Sequence, residues 1–88
     1  MNFKEGDLIV GSEENTYGLT NKNVICIIRE IRINNRMNIK IVAIKNRYHN
    51  EYNGYSKVFD DIQYNNHDGS ENFILFNPNE HRDFKWCD

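Results

Sequence analysis

Seven basic side chains recur through the middle of the chain: Arg29, Arg32, Arg36, Lys40, Lys45, Arg47 and Lys57. Tyr48, Tyr52 and Tyr55 are interleaved with the end of this stripe. Cationic groups neutralise phosphates and aromatic rings stack on bases, so these residue types in this order suit a nucleic-acid surface. The last third carries the opposite sign, in Asp60, Asp61, Asp68, Glu71, Glu80, Asp83 and Asp88, with Phe73, Phe84 and Trp86 among them. Acids around an aromatic anchor suit docking onto a basic groove of a partner protein. The candidate protein-binding residues are Asp60, Asp61, Glu80, Asp83, Phe84 and Trp86. The alternative, nucleic-acid set is Arg29, Arg32, Arg36, Lys40, Lys45, Arg47, Tyr48 and Tyr52. Plain solvation accounts for either set taken residue by residue, and a third arrangement has the two sets pair with each other in the fold.

Residues 31–58 hold six Lys and Arg against one acid, a balance of +5, and residues 59–88 hold two against seven, a balance of −5. The whole chain is at −2, with a pI near 5.9. That acidic balance places the nucleic-acid reading second to the protein-binding one.

Catalytic chemistry finds little to work with. His49, His67 and His81 are scattered through polar segments and form no ligand spacing, so no metal site is expected. Glu13-Glu14 and Asp60-Asp61 are adjacent carboxylates, which point apart in an extended chain. No nucleophile elbow, phosphate loop or Cys–His arrangement is visible. The expectation is a non-enzyme without cofactor. Cys26 lies inside an apolar run and Cys87 near the end of the sequence; they read as a buried thiol and a tail thiol rather than a disulfide framework.

The elements that must hold these residues are strands. Eighty-eight residues, 39% of them hydrophobic, make one domain over 1–88 with a small core and a stability of about 5 kcal/mol. Ile occurs 11 times, Leu three times and Ala once, a balance that favours strand over helix. Asn is commonest, with 15 copies; Asn, Ile, Lys and Tyr have AT-rich codons, which points to a low-GC bacterium or its phage. No apolar run reaches the roughly 20 residues that span a bilayer. The opening residues hold no apolar signal segment, so a cytoplasmic location in a bacterial host cell and no membrane partner are expected.

Gly6-Asp7 reads as a turn into a first strand, Leu8-Ile9-Val10. Residues 12–23 form a polar loop, anchored by Tyr17 and Leu19. Residues 24–45 form a long antiparallel hairpin, turning at Asn34-Asn35. Within it Ile28 falls on the opposite parity to Ile31 and Ile33, so a bulge is expected at Arg29-Glu30. Ile39, Ile41 and Ala43 face inward and Lys40 outward. Residues 55–59 alternate as a further strand, Asp60-Asp61-Ile62 suggests one helical turn, and residues 73–76 are a last strand. Asn77-Pro78-Asn79-Glu80 offers an N-cap, a proline at the first helical position and an acid after it. A short helix over residues 78–86 is expected, docked by Phe84 or Trp86.

The opening Phe3-Lys4-Glu5-Gly6-Asp7-Leu8-Ile9-Val10, the long hairpin, Tyr17 to Asn21 and Ser56-Lys57-Val58-Phe59 together resemble the SH3-like small barrels of KOW and Tudor type. Small phage and mobile-element proteins look similar. The resemblance covers roughly residues 3–62. It implies an all-β SH3-like small barrel of about five short antiparallel strands that serves as a binding platform, with a helical extension from about residue 77 outside the pattern. The functional expectation is a phage or mobile-element accessory protein that binds, and inhibits, a host defence or nucleic-acid enzyme. A nucleic-acid-binding barrel and a virion or assembly component are the alternatives, and the oligomeric state is open.

Overall fold

The computed structural model describes residues 3–18, 20–49 and 57–87. Its frame is the hairpin of β2 (Val24–Arg32) and β3 (Arg36–Lys45). Asn34 and Asn35 take φ of 62° and 65° at the turn, the left-handed region that Asn tolerates better than most residues. The bulge expected at Arg29-Glu30 is present: Ile28 pairs with Ile39 and Glu30 with Asn38, leaving Arg29 as the extra residue. A second irregularity follows Ile25, where Val42 is the extra residue on β3. Each bulge bends the hairpin. Lys40 is turned from the core and Ile39 and Ile41 face it, as expected, but the extra residue Val42 puts Ala43 on the opposite face, where it is buried beside Val10 and Ile25.

Around the hairpin lie β1 (Leu8–Gly11), β4 (Val58–Gln63), β5 (Phe73–Leu75) and β6 (Phe84–Trp86). The order is β4-β3-β2-β1-β5, all antiparallel, and β6 pairs with the C-terminal half of β3, in line with β4. The fold is therefore all-β, a six-stranded open sheet with β4 and β5 at its ends. The hairpin of residues 64–72 draws those ends together, through an isolated bridge between Asn65 and Glu71. The main core, including Ile9, Cys26, Ile28, Met37, Ile39, Ile41 and Phe73, lies on one side of this sheet.

Two expected helices are corrected. Asp60, Asp61 and Ile62 are strand residues of β4, because β3 offers them a ladder. The capping signal at Asn77 starts one turn only: Asn79 N–H donates to Asn77 Oδ1 and His81 N–H to the Asn77 carbonyl. Asp83, at φ 64°, then reverses the chain. Phe84 and Trp86 leave as a strand because the edge of β3 from Ala43 to Lys45 supplies three ladder pairs. Among the described residues the one helical element is a 3-10 turn at Asn46–Tyr48, and no helix is long and apolar enough to cross a membrane.

The loop over residues 12–23 is held by two asparagines. Buried Asn72 takes Thr16 N–H on its Oδ1, donates its Nδ2 to the Gln63 carbonyl, and offers its own carbonyl to Ser12 N–H and Asn15 Nδ2. Asn15 also reaches the Thr20 carbonyl. Tyr17 anchors the loop as expected, its hydroxyl accepting Gln63 N–H at 3.0 Å; Leu19, the other expected anchor, lies outside the described residues. Gly11 lets the loop lie against β1, since a Cβ there would stand 2.5 Å from the Asn21 carbonyl carbon.

A candidate binding face

The acidic and basic sets first meet each other. The bulges bring Arg32 of β2 within reach of Asp60 on β4. Its Nε donates to Glu30 Oε1 at 2.9 Å, and its two other nitrogens to the Asp60 carbonyl and carboxylate at 2.5 and 3.1 Å. Asn38, between them on β3, donates to the same carboxylate at 2.7 Å. That hydrogen bond first, and Arg32 second, hold the Asp60 carboxyl below the usual carboxylate range, while Glu30 and then Asp60 raise the Arg32 guanidinium above its own. Arg36 stands 3.8 Å from Asp61. Such exposed pairs add little stability, but they fix where these charges point.

The remaining basic residues do not form one stripe. Arg29 is exposed at its bulge and Lys40 sits half-buried. Lys45 lies 4.8 Å over the Phe84 ring and donates to the Arg82 carbonyl. Arg47 stacks 4.7 Å over Tyr48. Tyr52, like Tyr55, lies outside the described residues.

The other side of the sheet carries a second apolar cluster of Val10, Ile25 and Ala43. Directly paired residues share a face. Ile74 pairs with Val10, Val10 with Ile25, Ile25 with Ala43 and Ala43 with Trp86. One apolar row therefore crosses five strands. Its three central members are buried, while Ile74 is 41% and Trp86 53% exposed. A parallel row runs Leu8, Ile27, Lys40, Val58, with Val58 exposed and the others half-buried.

The segment from Phe76 to Phe84 straps the first row, both phenylalanines packing on the Val10 cluster. Phe76 stacks on His81 at 5.8 Å and meets Trp86 edge-on at 6.3 Å. His81 Nδ1 accepts Asn77 N–H at 2.8 Å, which ties the strap into its turn. Beside the strap an open cleft of about 520 Å³ is lined by Val10, Ile74 and Phe84 together with Glu80, Lys45 and Arg47. The structure thus joins Glu80 and Phe84 of one candidate set to Lys45 and Arg47 of the other. Asp83 lies within the strap and Trp86 just beyond it, whereas Asp60 and Asp61 lie with the Arg32 and Arg36 pairs.

Sequence reasoning missed the contributions of Ile74, Phe76 and His81 to this face. The available signal was the apolar character of both parities in β1 and β2, which marks a sheet with two covered sides. Among the described residues no group of three or more His, Cys, Asp or Glu is placed to hold a metal ion. Burial pushes the Cys26 thiol up to about 12, so it is no nucleophile at neutral pH. No protein-family description, curated protein or solved structure matches the chain.

Proposed function

We propose that this chain is a non-enzymatic binding module that docks onto a partner protein through the strapped face of its sheet, with Trp86, Phe84 and Ile74 as apolar contacts and Glu80 and Asp83 as the acidic rim. The carrying observation is the apolar row that leaves the buried cluster and surfaces at Trp86. A large aromatic held on a rigid strand beside acids is the composition of an interface anchor. The nucleic-acid reading is weaker, because Arg32 and Arg36 face Glu30, Asp60 and Asp61 at close range. Asp60 and Asp61 are left out of the docking surface for the same reason. The partner we infer is a host enzyme blocked by an accessory protein of a phage or mobile element; small size and split charge support that reading. We infer also an SH3-like arrangement, supported by the bent β2–β3 hairpin and by the 64–72 hairpin that draws the sheet ends together.

The test is a pull-down from lysate of a low-GC bacterium, with and without nuclease, using the wild-type chain and Trp86→Asp. A protein retained after nuclease and lost with Trp86→Asp is the expected result. Loss of every partner on nuclease treatment, with steep salt dependence, would overturn it in favour of nucleic acid.

A further inference from the structure

An open sheet has edges, and edges invite pairing unless they are blunted. β4 is blunted: Tyr17 accepts Gln63 N–H, Asn72 donates to the Gln63 carbonyl, Arg32 donates to the Asp60 carbonyl, and Asp60 and Asp61 put charge along the strand. β6 carries the charged Lys85 at its centre. Among the described residues β5 has no such guard. Residues 72–79 hold no charged side chain, and Ile74 and Leu75 are 41% and 50% exposed.

The backbone at this edge is also poised. Phe76 N–H donates to the Leu8 carbonyl and Ser12 N–H to the Asn72 carbonyl, while Val10 faces Ile74. The hydrogen-bonded positions of the β1–β5 ladder are therefore 72, 74 and 76. Leu75, between them, turns its N–H and C=O away from β1.

We propose that β5 is a self-pairing edge, whose occupant is β5 of a second copy of this chain, antiparallel about a twofold axis at Leu75. In that register the two Leu75 residues exchange both backbone hydrogen bonds, and Ile74 of each copy faces Phe76 of the other. An isologous contact sets a strand against itself. On β4 it would bring carboxylate to carboxylate and on β6 ammonium to ammonium, and like charges directly opposite are unfavourable. β5 meets its copy without that conflict. The contact is a few residues long, so the dimer is weak, associating between about 10 μM and 1 mM.

Sedimentation velocity over that range tests this, together with amide exchange at Leu75. A concentration-dependent dimer is expected in the wild type and in Trp86→Asp, with Leu75 exchange slowing as concentration rises. Leu75→Asp and Leu75→Lys, both at an exposed side chain, should stay monomeric with unchanged circular dichroism. A wild type monomeric up to about 1 mM, a dimer that survives both Leu75 variants, or a Leu75 amide indifferent to concentration would each overturn the proposal. Retention of the heterologous partner by Leu75→Asp, and its loss by Trp86→Asp, separates this edge from the strapped face.

Discussion

Arg32 clasps Asp60 across the intervening strand, 28 positions away in the chain, holding both its carboxylate and its carbonyl. With Asn38 on the same carboxylate oxygen, the ionised form of Asp60 is favoured in the folded state and its pKa is lowered. A carboxyl lowered on folding contributes stability above its unfolded value of about 3.9, and that contribution is lost as pH falls through the folded value. The wild-type denaturation midpoint should fall as pH drops below about 4, and Asp60→Asn should fall less steeply. Asp68, held low by Ser70, acts in the same direction, so the double variant should be flatter still. Equal slopes in all three chains would refute the assignment.

Asn72 predicts a larger effect without titration. Its side chain satisfies Thr16 N–H and the Gln63 carbonyl from a buried position. Asn72→Ala leaves these groups without their partner and should cost about 2–3 kcal/mol, measured by urea unfolding. Asn79→Ala, which removes an exposed side chain, serves as the comparison and should stay within about 0.5 kcal/mol of wild type.

Two glycines make a matched pair. At Gly11 an added methyl meets the backbone of Thr20 and Asn21 within 2.7 Å, whereas at Gly18 it meets nothing within 4 Å. Gly11→Ala should destabilise by about 2 kcal/mol or more, while Gly18→Ala should be neutral or slightly stabilising. Comparable midpoints for the two variants would show that the loop does not lie against β1 as described.

Thiol reactivity reports on the core. Cys26 is 2% exposed and its thiol is raised to about 12. In a Cys87→Ser background, iodoacetamide at pH 8 should label Cys26 only as fast as the chain opens, and urea should accelerate the reaction. Rapid labelling of the native chain would contradict the packing of the main core.

The hairpin was legible in the sequence because its signals are local. Parity breaks at Arg29-Glu30 where the bulge forms, and Asn34-Asn35 supply the left-handed turn. The C-terminal helix was misread although its first turn was read correctly. Asn77 caps as its type suggests, but the outcome was decided at the edge of β3, more than 30 residues earlier, where three ladder pairs outcompete a helix too short to stand alone. The alternation of Phe84 and Trp86 about Lys85 was the strand signal there. The two candidate surfaces were legible as residue types and not as places. Nothing local couples Arg32 to Asp60 or seats Phe84 beneath Lys45, since both depend on which strands become neighbours. The abundance of Asn, attributed to codon bias, also has a structural use at Asn15, Asn35 and Asn72. Asn35, for example, exchanges two hydrogen bonds with the backbone of Asn65.

The strap also sets an order of events during biosynthesis. Val10, Ile25 and Ala43 can line up as soon as β1, β2 and β3 have been made, yet the residues that shield them, Phe76 and Phe84, follow tens of residues later. At about 5–20 residues per second a ribosome leaves that apolar row wet for several seconds. In that interval the nascent hairpin presents an open apolar surface, and the arrival of Phe76 and Phe84 closes it.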